Sequence, residues 1–506
     1  MKTLVLNERD NVATLTAQLP AGAAAISGGL VLTTTVPQGH KVARQHIAKG
    51  DPVFKFGYLI GYASVDILLG EHVHTHNCAF GAHPNSALSG QHFAAAVAAV
   101  PKVTPRTFDG YARTNGQVGT RNMIALIATV NCSATVIQKA ADMIVASSML
   151  DDFPNVDGVV ALSHASGCGM DASGLGAQIL ERVLWGYATH PNVGAAVFVG
   201  LGCEIMQVAR MRQKFDAMGH HRFQGLTIQD AGGTTSTIEQ IVSYVRGILP
   251  KVNAATRTKQ PLSKLSIGLQ CGGSDGYSGI TANPALGIAS DLIVGHGGRV
   301  ILAETPEIYG AEQLLLDRAG SDKTGADLVE RLRWWETYTA IHGGSLDNNP
   351  SVGNKAGGLT TILEKSLGAV AKSGSTPLNE VVGYAQKPTQ TGLVFMDTPG
   401  FDPVSVTGQT AGGAQIIVFT TGRGSAFGSK PAPTIKLATN DRLFEKMPDD
   451  MDINCGDIVS SGVSLAEKGS QILDLIVATA SGKPTKSEVL GLGDHEFVPW
   501  SLGAVM

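Results

Sequence analysis

From about residue 107 onward, the chain alternates short apolar runs with longer stretches of helical pattern. "MIALIATV" is followed by "SATVIQKAADMIVASSML", "VDGVVALSH" by "GLGAQILERVLWGYA", and "GAAVFVGLG" by "IMQVARMRQKF". A second region of the same kind begins near Leu265 with "LSIGLQ" and continues with "RVILAE", "GLVFMD" and "QIIVFTTG". Strands that alternate with helices are typical of parallel sheets covered by helices. The pattern therefore predicts an α/β protein built on parallel sheets.

The first 80 residues follow a different pattern. In "GGLVLTTTVPQGHKVA" and "GDPVFKFGYLIGYASVDI" the apolar runs are short and end at turns, which favours a small β-rich domain. Residues 81–106 carry three prolines and many small residues, as a linker does. We therefore predict a β domain (1–80), a linker (81–106), an α/β domain (107–260) and a C-terminal α/β domain (261–506).

Composition excludes several classes of partner. The 506 residues carry a formal net charge of −4 and no long basic run, so neither nucleic acid nor an anionic membrane is expected to bind. No stretch approaches the roughly 18 apolar residues of a membrane span, and the start lacks a secretory signal. Six cysteines are too sparse for a disulfide scaffold. These features predict a cytoplasmic protein with reduced thiols.

Four of the cysteines follow predicted strands: Cys132, Cys168, Cys203 and Cys271. His164 lies four residues before Cys168. Parallel sheets bind ligands at the carboxyl ends of their strands, so thiols distant in sequence can converge there. Thiolates and imidazole suit iron or zinc. The alternative is that these cysteines fill gaps in the core, as buried cysteines often do.

The stretch "GEHVHTHN" places His72, His74 and His76 at alternate positions. On a β-strand all three would project from one face, about 6 to 7 Å apart. Such a row can bind a metal ion or a carboxylate. The alternative is an ordinary exposed polar face of a strand.

Residues 272–276, "GGSDG", match the pattern G-x-S-x-G of a nucleophile elbow, with Ser274 as the nucleophile. This would make the protein a serine hydrolase. The chain contains 62 glycines, however, and no later histidine sits in a convincing triad setting. Phosphate-binding and dinucleotide-binding patterns do not occur in the sequence.

Several strings together are similar to the altronate and galactarate dehydratase family: "SHASGCG", "GLGCE", "CGGSDGYSGITANPALGIASD", "ETPEIYGAEQLL", "NPSVGNKAGG" and "TTGRG". The resemblance covers nearly the whole chain. It implies a small SAF-like β-clip domain at the N-terminus, followed by the parallel-sheet α/β domains. Val352, Cys455 and the string "GRGSAFG" depart from the family's usual residues and leave the substrate open.

The resemblance also implies an activity. Members of this family remove water across C2 and C3 of a sugar acid and depend on Fe2+ or a similar divalent cation such as Mn2+. "GEHVHTHN" looks like the altronate branch, which implies conversion of altronate to 2-dehydro-3-deoxy-gluconate. Galactarate, or another hexarate or hexonate, is the alternative substrate. A serine hydrolase and a non-catalytic metal-binding scaffold remain as alternatives of other classes.

The reaction needs a cation to stabilise enolate charge, a base and an acid. We expect a homodimer, the commonest assembly, in which the β domain acts as a lid or merely packs against the rest. The expected residues are His164, Cys168, Cys203 and Cys271 as metal ligands; Asp275, Glu304 and Lys355 as acid and base candidates; Arg121 and Arg423 as carboxylate binders; and His72, His74, His76, Ser274 and Asn283 as further substrate contacts.

Overall fold

The computed structural model describes residues 2–26, 30–82, 89–217 and 223–503. Its N-terminal part is small and rich in strands. The strands pair antiparallel in the orders β1-β2-β5-β8, β3-β4 and β6-β7-β9. Their bounds are β1 (Thr3–Leu4), β2 (Val12–Leu15), β3 (Ala24–Ile26), β4 (Leu30–Val31), β5 (Lys41–Ala43), β6 (Pro52–Lys55), β7 (Tyr58–Ala63), β8 (His72–Val73) and β9 (Cys78–Ala79).

The middle part contains a four-stranded parallel sheet in the order β13-β12-β14-β15. A separate antiparallel sheet, β11-β10-β16, lies beside it in sequence. The elements are α1 (Phe93–Ala98), β10 (Thr107–Ala112), β11 (Val118–Gly119), β12 (Met123–Ala128), α2 (Ala134–Ala146), β13 (Gly158–Leu162), α3 (Leu175–Ala188), β14 (Val193–Gly200), α4 (Val208–Ala217), β15 (Phe223–Thr227), α5 (Thr234–Asn253) and β16 (Arg257–Pro261).

The C-terminal part is built on a seven-stranded parallel sheet in the order β19-β20-β18-β17-β21-β22-β23. Its elements are β17 (Ser266–Cys271), α6 (Ala282–Gly295), β18 (Arg299–Leu302), α7 (Gln313–Leu316), α8 (Asp322–Ile341), α9 (Val352–Ala356), α10 (Ile362–Ala371), β19 (Leu378–Val382), β20 (Gly392–Met396), α11 (Asp402–Ala411), β21 (Ile416–Thr421), β22 (Thr434–Ala438), α12 (Asp441–Lys446), β23 (Ile453–Asn454), α13 (Asp457–Ser460), α14 (Leu465–Ala480) and α15 (Lys486–Val489).

The predicted fold class is confirmed, and burial explains why the sequence revealed it. Every residue of β12, β14, β17 and β21 is buried. Strands covered by helices on both faces read as continuous apolar runs rather than as alternating ones. No helix in the described part of the chain is long and apolar enough to cross a membrane. The two parallel sheets are separate, so the chain has two carboxyl edges rather than one.

A buried group of charges attaches the β domain to the C-terminal sheet. Glu364 on α10 accepts hydrogen bonds from Lys41 at 2.8 Å and from Lys55 at 2.9 Å. All three side chains are at most 1% exposed. Burial alone would raise the pKa of Glu364, but Lys41 and Lys55 hold it well below its usual range. Glu364 is therefore ionised and fixes the docking of the β domain.

The backbones also approach closely at this junction. A Cβ placed on Gly276 would lie 2.0 Å from the carbonyl oxygen of Gly39, so no larger residue fits there. Lys41 also donates to the carbonyl of Gly358 at 2.6 Å. The β domain and the C-terminal domain are thus in direct contact across this surface.

We expect Glu364→Gln to lower the free energy of unfolding by about 3–5 kcal/mol, because it leaves two buried ammonium groups without a counter-charge. Denaturant unfolding followed by circular dichroism measures the change. The matched control is Asp327→Asn, which removes an exposed ion pair with Lys323 and should cost no more than about 0.5 kcal/mol. Equal losses in the two variants would contradict the role assigned to Glu364.

Candidate active site and metal centre

Three potential metal ligands meet at the carboxyl end of the seven-stranded sheet. Cys271, Glu304 and Glu307 each offer one ligand atom, these atoms lie within 4.8 Å of one another, and all three residues are buried. Cys271 is the last residue of β17. Glu304 follows β18 in a left-handed conformation, with φ of 72°, and the chain then turns through Thr305–Glu307. This turn brings both glutamates next to the cysteine.

Helix α10 and the residue directly after it supply two buried lysines to the same place. Lys365 and Lys372 are seven residues apart, and two helical turns put them on one face. Lys365 lies 2.6 Å from Glu307 and also donates to Asn349. Lys372 donates to the Cys271 sulfur at 2.8 Å and lies 3.7 Å from Glu304. The lysines thus interact with all three potential ligands.

The charges of this cluster do not balance without a proton or a cation. Three carboxyl groups, those of Glu304, Glu307 and Asp402, face two lysines. Burial, and then the neighbouring Glu307, raise the pKa of Glu304 well above its usual value and that of Asp402 to about 6. Lys365 and Lys372 together outweigh the effect of burial on Glu307 and hold its pKa below the usual value. Glu304 and Asp402 are therefore the groups that most readily take up a proton, or whose charge a bound cation would neutralise.

The residues present fit a divalent metal ion. Both carboxylate oxygens of Glu304 are buried and have no hydrogen-bond partner among the described residues, an unusual and costly state for a carboxylate. A cation would satisfy them. Burial raises the pKa of the Cys271 thiol to about 12, so metal binding there would release a proton. Two carboxylates and one thiolate suit a transition-metal ion such as iron or manganese.

An open cleft lies beside this cluster. Its volume is about 470 Å³, within the range of small-molecule sites. The polar residues lining it include Cys271, Glu307, Asn349, Lys365 and Asp402. Asp402 is the first residue of α11, and Asn349 donates to Glu307 at 3.0 Å. The cleft therefore gives access to two of the potential metal ligands, Cys271 and Glu307, and to Lys365.

The structure does not bring the four predicted metal ligands together. Cys271 belongs to the C-terminal cluster, whereas His164, Cys168 and Cys203 follow strands of the four-stranded sheet. His164 is buried, its Nε2 lies 3.0 Å from the Ala128 carbonyl, and its Nδ1 accepts from the Ser166 amide. Both ring nitrogens are therefore occupied. The prediction assumes one sheet edge, whereas these residues follow strands of two different sheets.

Three residues predicted at the site have structural contacts instead. The Arg121 guanidinium binds both oxygens of Glu488 and also donates to backbone carbonyls. Asn283 donates to the Gly368 carbonyl and accepts from Thr420. The Asp275 carboxylate accepts from the amides of residues 277 and 278 and from the side chains of residues 278, 439 and 440. Their polar groups are thus used within the protein.

Ser274 lacks the partner that a serine hydrolase needs. Its hydroxyl oxygen is buried and has no hydrogen-bond partner in the part of the chain that the structure describes. A nucleophilic serine requires a base within hydrogen-bond distance. The structure therefore gives no support to the nucleophile elbow.

The three histidines form a cluster with a fourth, His40. The ring centroid of His72 lies 5.3 Å from that of His74 and 5.6 Å from that of His76. The centroids of His40 and His72 are 5.1 Å apart. Strand β8 covers only His72–Val73, so the rings gather around a turn rather than along a strand. Burial lowers the pKa of His40 to about 4 and that of His72 to about 3. These two rings are therefore neutral near pH 7.

This histidine cluster rests on the C-terminal domain near α9. His74 Nε2 lies 2.8 Å from the carbonyl oxygen of Lys355, and His40 Nε2 lies 3.3 Å from that of Ala356. A second cleft of about 280 Å³ opens nearby and is lined by His40, the exposed Arg423 and Arg442. Arg423 and the histidines thus belong to the junction between the domains.

Sequence reasoning missed four residues of the cluster: Glu307, Lys365, Lys372 and Asp402. Two signals were present. "ETPE" repeats a glutamate three residues after Glu304, and "KSLGAVAK" places two lysines seven residues apart in an otherwise apolar helix. A lysine pair on an apolar helical face indicates burial with counter-charges.

Comparisons with known proteins agree with this architecture. Residues 1–80 match the model of the altronate/galactarate dehydratase SAF domain, residues 110–253 that of the D-galactarate dehydratase/altronate hydrolase second domain, and residues 262–505 that of the D-galactarate/altronate dehydratase C-terminal domain. The chain therefore belongs to the D-galactarate/altronate dehydratase family, and the resemblance seen in the sequence is confirmed.

Individual relatives match over nearly their full length. Altronate dehydratases of Bacillus subtilis (strain 168) and Escherichia coli (strain K12) are each 34% identical, over 96% of this chain and 97% of theirs. The galactarate dehydratase (L-threo-forming) of Escherichia coli (strain K12) is 37% identical, over 96% of this chain and 94% of its own. These relatives show the family. The percentages of sequence identity do not decide between altronate and galactarate as the substrate.

The burial of Cys271 predicts a pattern of thiol reactivity. In the metal-free protein at pH 8 we expect iodoacetamide to modify the exposed Cys132, Cys168 and Cys203, but not Cys271, because thiolate is the reactive form and this thiol has a pKa of about 12. Peptide mass spectrometry identifies the modified residues. Denatured protein, in which every cysteine should react, is the control; rapid native labelling of Cys271 would contradict the described cluster.

Proposed function

We propose that this protein is a metal-dependent dehydratase that converts altronate to 2-dehydro-3-deoxy-gluconate, with galactarate as the alternative substrate. One observation carries the proposal: the two oxygens of Glu304, which have no hydrogen-bond partner among the described residues, lie beside Cys271 and Glu307 next to an open cleft. The family membership supports the reaction class. A homodimeric assembly and a cytoplasmic location stay predictions.

We propose Cys271, Glu304 and Glu307 as the ligands of Fe2+, with Mn2+ as the alternative ion. When bound, such a cation stabilises negative charge on the oxygens of a hydroxy acid as the carbon next to the carboxylate loses its proton. This ligand set contains two carboxylates, whereas the set predicted from the sequence consists of three thiolates and an imidazole. Oxygen ligands favour harder cations than thiolates do.

Asp402 is the proposed general base. It lines the cleft, and with a pKa of about 6 it is ionised at neutral pH yet basic enough to accept a proton. Its carboxylate would take the proton from C2 of the sugar acid. This assignment replaces Asp275, whose oxygens already accept several hydrogen bonds.

Lys365 is the proposed acid. Burial disfavours its charge, but Glu307 and the other anionic groups outweigh burial, so the pKa of Lys365 is raised and the ammonium stays protonated. It lines the cleft and can donate a proton to the departing C3 hydroxyl. Lys372 is a positioning residue, since it contacts Cys271 and lies near Glu304.

The remaining predicted contacts belong to the junction with the β domain. Arg423 is exposed in the smaller cleft, and we retain it as a candidate for the distal end of the substrate. Lys355 presents its backbone carbonyl to His74, and its ammonium group stays a candidate for acid–base chemistry. The buried ion pairs of Glu364 with Lys41 and Lys55 favour a β domain that packs against the rest of the chain over one that acts as a lid.

The central test uses protein purified without oxygen. We expect 2-keto-3-deoxy acid to form from altronate, or from galactarate, only after Fe2+ or Mn2+ is added, and to stop on addition of a chelator. Glu304→Gln should lower the bound Fe2+ or Mn2+ by one ion per chain and reduce turnover at least about 100-fold, because it removes the ligand charge. Glu330→Gln, an exposed glutamate on α8, is the matched control.

Other outcomes of this experiment favour other functions. Turnover that is insensitive to the chelator would overturn the metal-dependent mechanism. Hydrolysis of an ester that Ser274→Ala abolishes would establish the serine hydrolase instead. Tight metal binding without turnover of any sugar acid would favour the scaffold.

The proposed base gives the reaction a defined pH dependence. Because Asp402 must be deprotonated to act, activity should be present above about pH 6 and be lost as the pH falls through its pKa. Asp402→Asn should lower kcat by about 10²-fold or more and remove this acid limb from the residual rate. An unchanged pH profile in the variant would assign the base to another residue.

A further inference from the structure

Three cysteines outside the proposed active site share the carboxyl edge of the four-stranded sheet. Cys132 follows β12, Cys168 follows β13 and Cys203 follows β14. These strands are parallel neighbours in the order β13-β12-β14. Adjacent strands are about 4.8 Å apart, so loops leaving the same edge of three neighbours lie side by side.

Backbone hydrogen bonds join the three loops. The amide of Asn131, which precedes Cys132, donates to the carbonyl of Ser166 at 3.0 Å. The amide of Ile205 donates to the carbonyl of Gly167, which precedes Cys168, also at 3.0 Å. Each cysteine is therefore within two residues of a bond that ties its loop to a neighbouring loop.

The loops have conformations that only particular residues allow. Gly167 has φ of +103°, and a Cβ there would lie 2.3 Å from the Thr129 carbonyl oxygen. Gly202 has φ of +131°, and its Cβ would lie 2.3 Å from Gln229. The buried carboxylate of Glu204 accepts from the Thr129 hydroxyl at 2.9 Å and from the Gly202 amide at 2.6 Å. These contacts fix the loops before any ligand binds.

Packing does not explain these cysteines. Cys132, Cys168 and Cys203 are exposed, whereas Cys78, Cys271 and Cys455 are buried. Free cysteines are among the most buried residue types, and exposed thiols are reactive. Three exposed thiols on one fixed edge are instead a set of soft ligands for a thiophilic metal.

We propose that Cys132, Cys168 and Cys203 bind an iron–sulfur cluster of the [4Fe–4S] type through three thiolates. Thiolates on one zinc ion lie about 3.8 Å apart, given a zinc–sulfur distance of about 2.3 Å. The three sulfurs here are not all within 4.8 Å of one another, so as placed they do not surround a single zinc ion. A cluster in which separate irons each take one thiolate does not require the three sulfurs to share one ion.

Three thiolates leave one iron of such a cluster without a cysteine ligand. His164 does not supply it, since both of its ring nitrogens are bonded to backbone groups. The fourth iron is therefore open to a small oxygen or nitrogen ligand from solution. The site is in a different sheet from Cys271 and does not depend on the proposed dehydratase mechanism.

Anaerobic reconstitution of the full-length protein with Fe2+ and sulfide tests this inference. We expect about four acid-labile sulfides per chain, together with the broad visible absorption of an iron–sulfur cluster. Single Cys→Ser changes at residues 132, 168 and 203 should each remove most of the sulfide and the absorption. Cys271→Ser should retain both, although it removes a ligand of the other proposed site. Thermal unfolding of the metal-free variants shows whether they are folded.

The competing outcomes are separable. Uptake of one zinc ion per chain without sulfide, lost in the same three variants, would overturn the cluster in favour of a mononuclear site. Sulfide content unchanged by the three substitutions would show adventitious iron sulfide and overturn the inference. Because sulfide and absorption are measured without substrate, failure here is distinct from failure of the dehydratase assay.

Discussion

Helix α10 is the element on which the remaining arrangement depends, because consecutive residues point its charges at two different partners. Glu364 binds the two lysines of the β domain, and Lys365 binds Glu307 in the metal-ligand cluster. Every residue from Ile362 to Val370 is buried. Burying an ionised group without compensation costs several kcal/mol, so each of these charges must meet its partner. Domain docking and site geometry are thus coupled through one helix.

The same electrostatic accounting explains how the site can be both stable and reactive. Glu307 is held ionised by two lysines, whereas Glu304 and Asp402 are left with raised pKa values. A proton or a divalent cation can satisfy Glu304, and the two compete for it. When their surroundings give two neighbouring groups different pKa values, one can act as an acid and the other as a base.

Much of the fold could be predicted from the sequence, because strands buried on both faces appear as uninterrupted apolar runs. "LSIGLQ" and "QIIVFTTG" are such runs, and they form the fully buried strands β17 and β21. The residues of the candidate site are harder to predict from the sequence. Nothing in a single sequence shows which strands share a sheet, so Cys271 was grouped with Cys203 although they belong to different sheets. Likewise Arg121 looked like a free carboxylate binder, and its partner Glu488 lies 367 residues away.

The burial of Glu364, Lys41 and Lys55 has a consequence for behaviour in salt. Dissolved ions screen charges that water can reach, over a Debye length of about 8 Å at physiological ionic strength, but they cannot enter a sealed junction. The exposed pair Lys323 and Asp327 weakens as salt is added, while the three buried charges keep their attraction. Added salt should therefore not weaken these ion pairs between the β domain and the C-terminal domain.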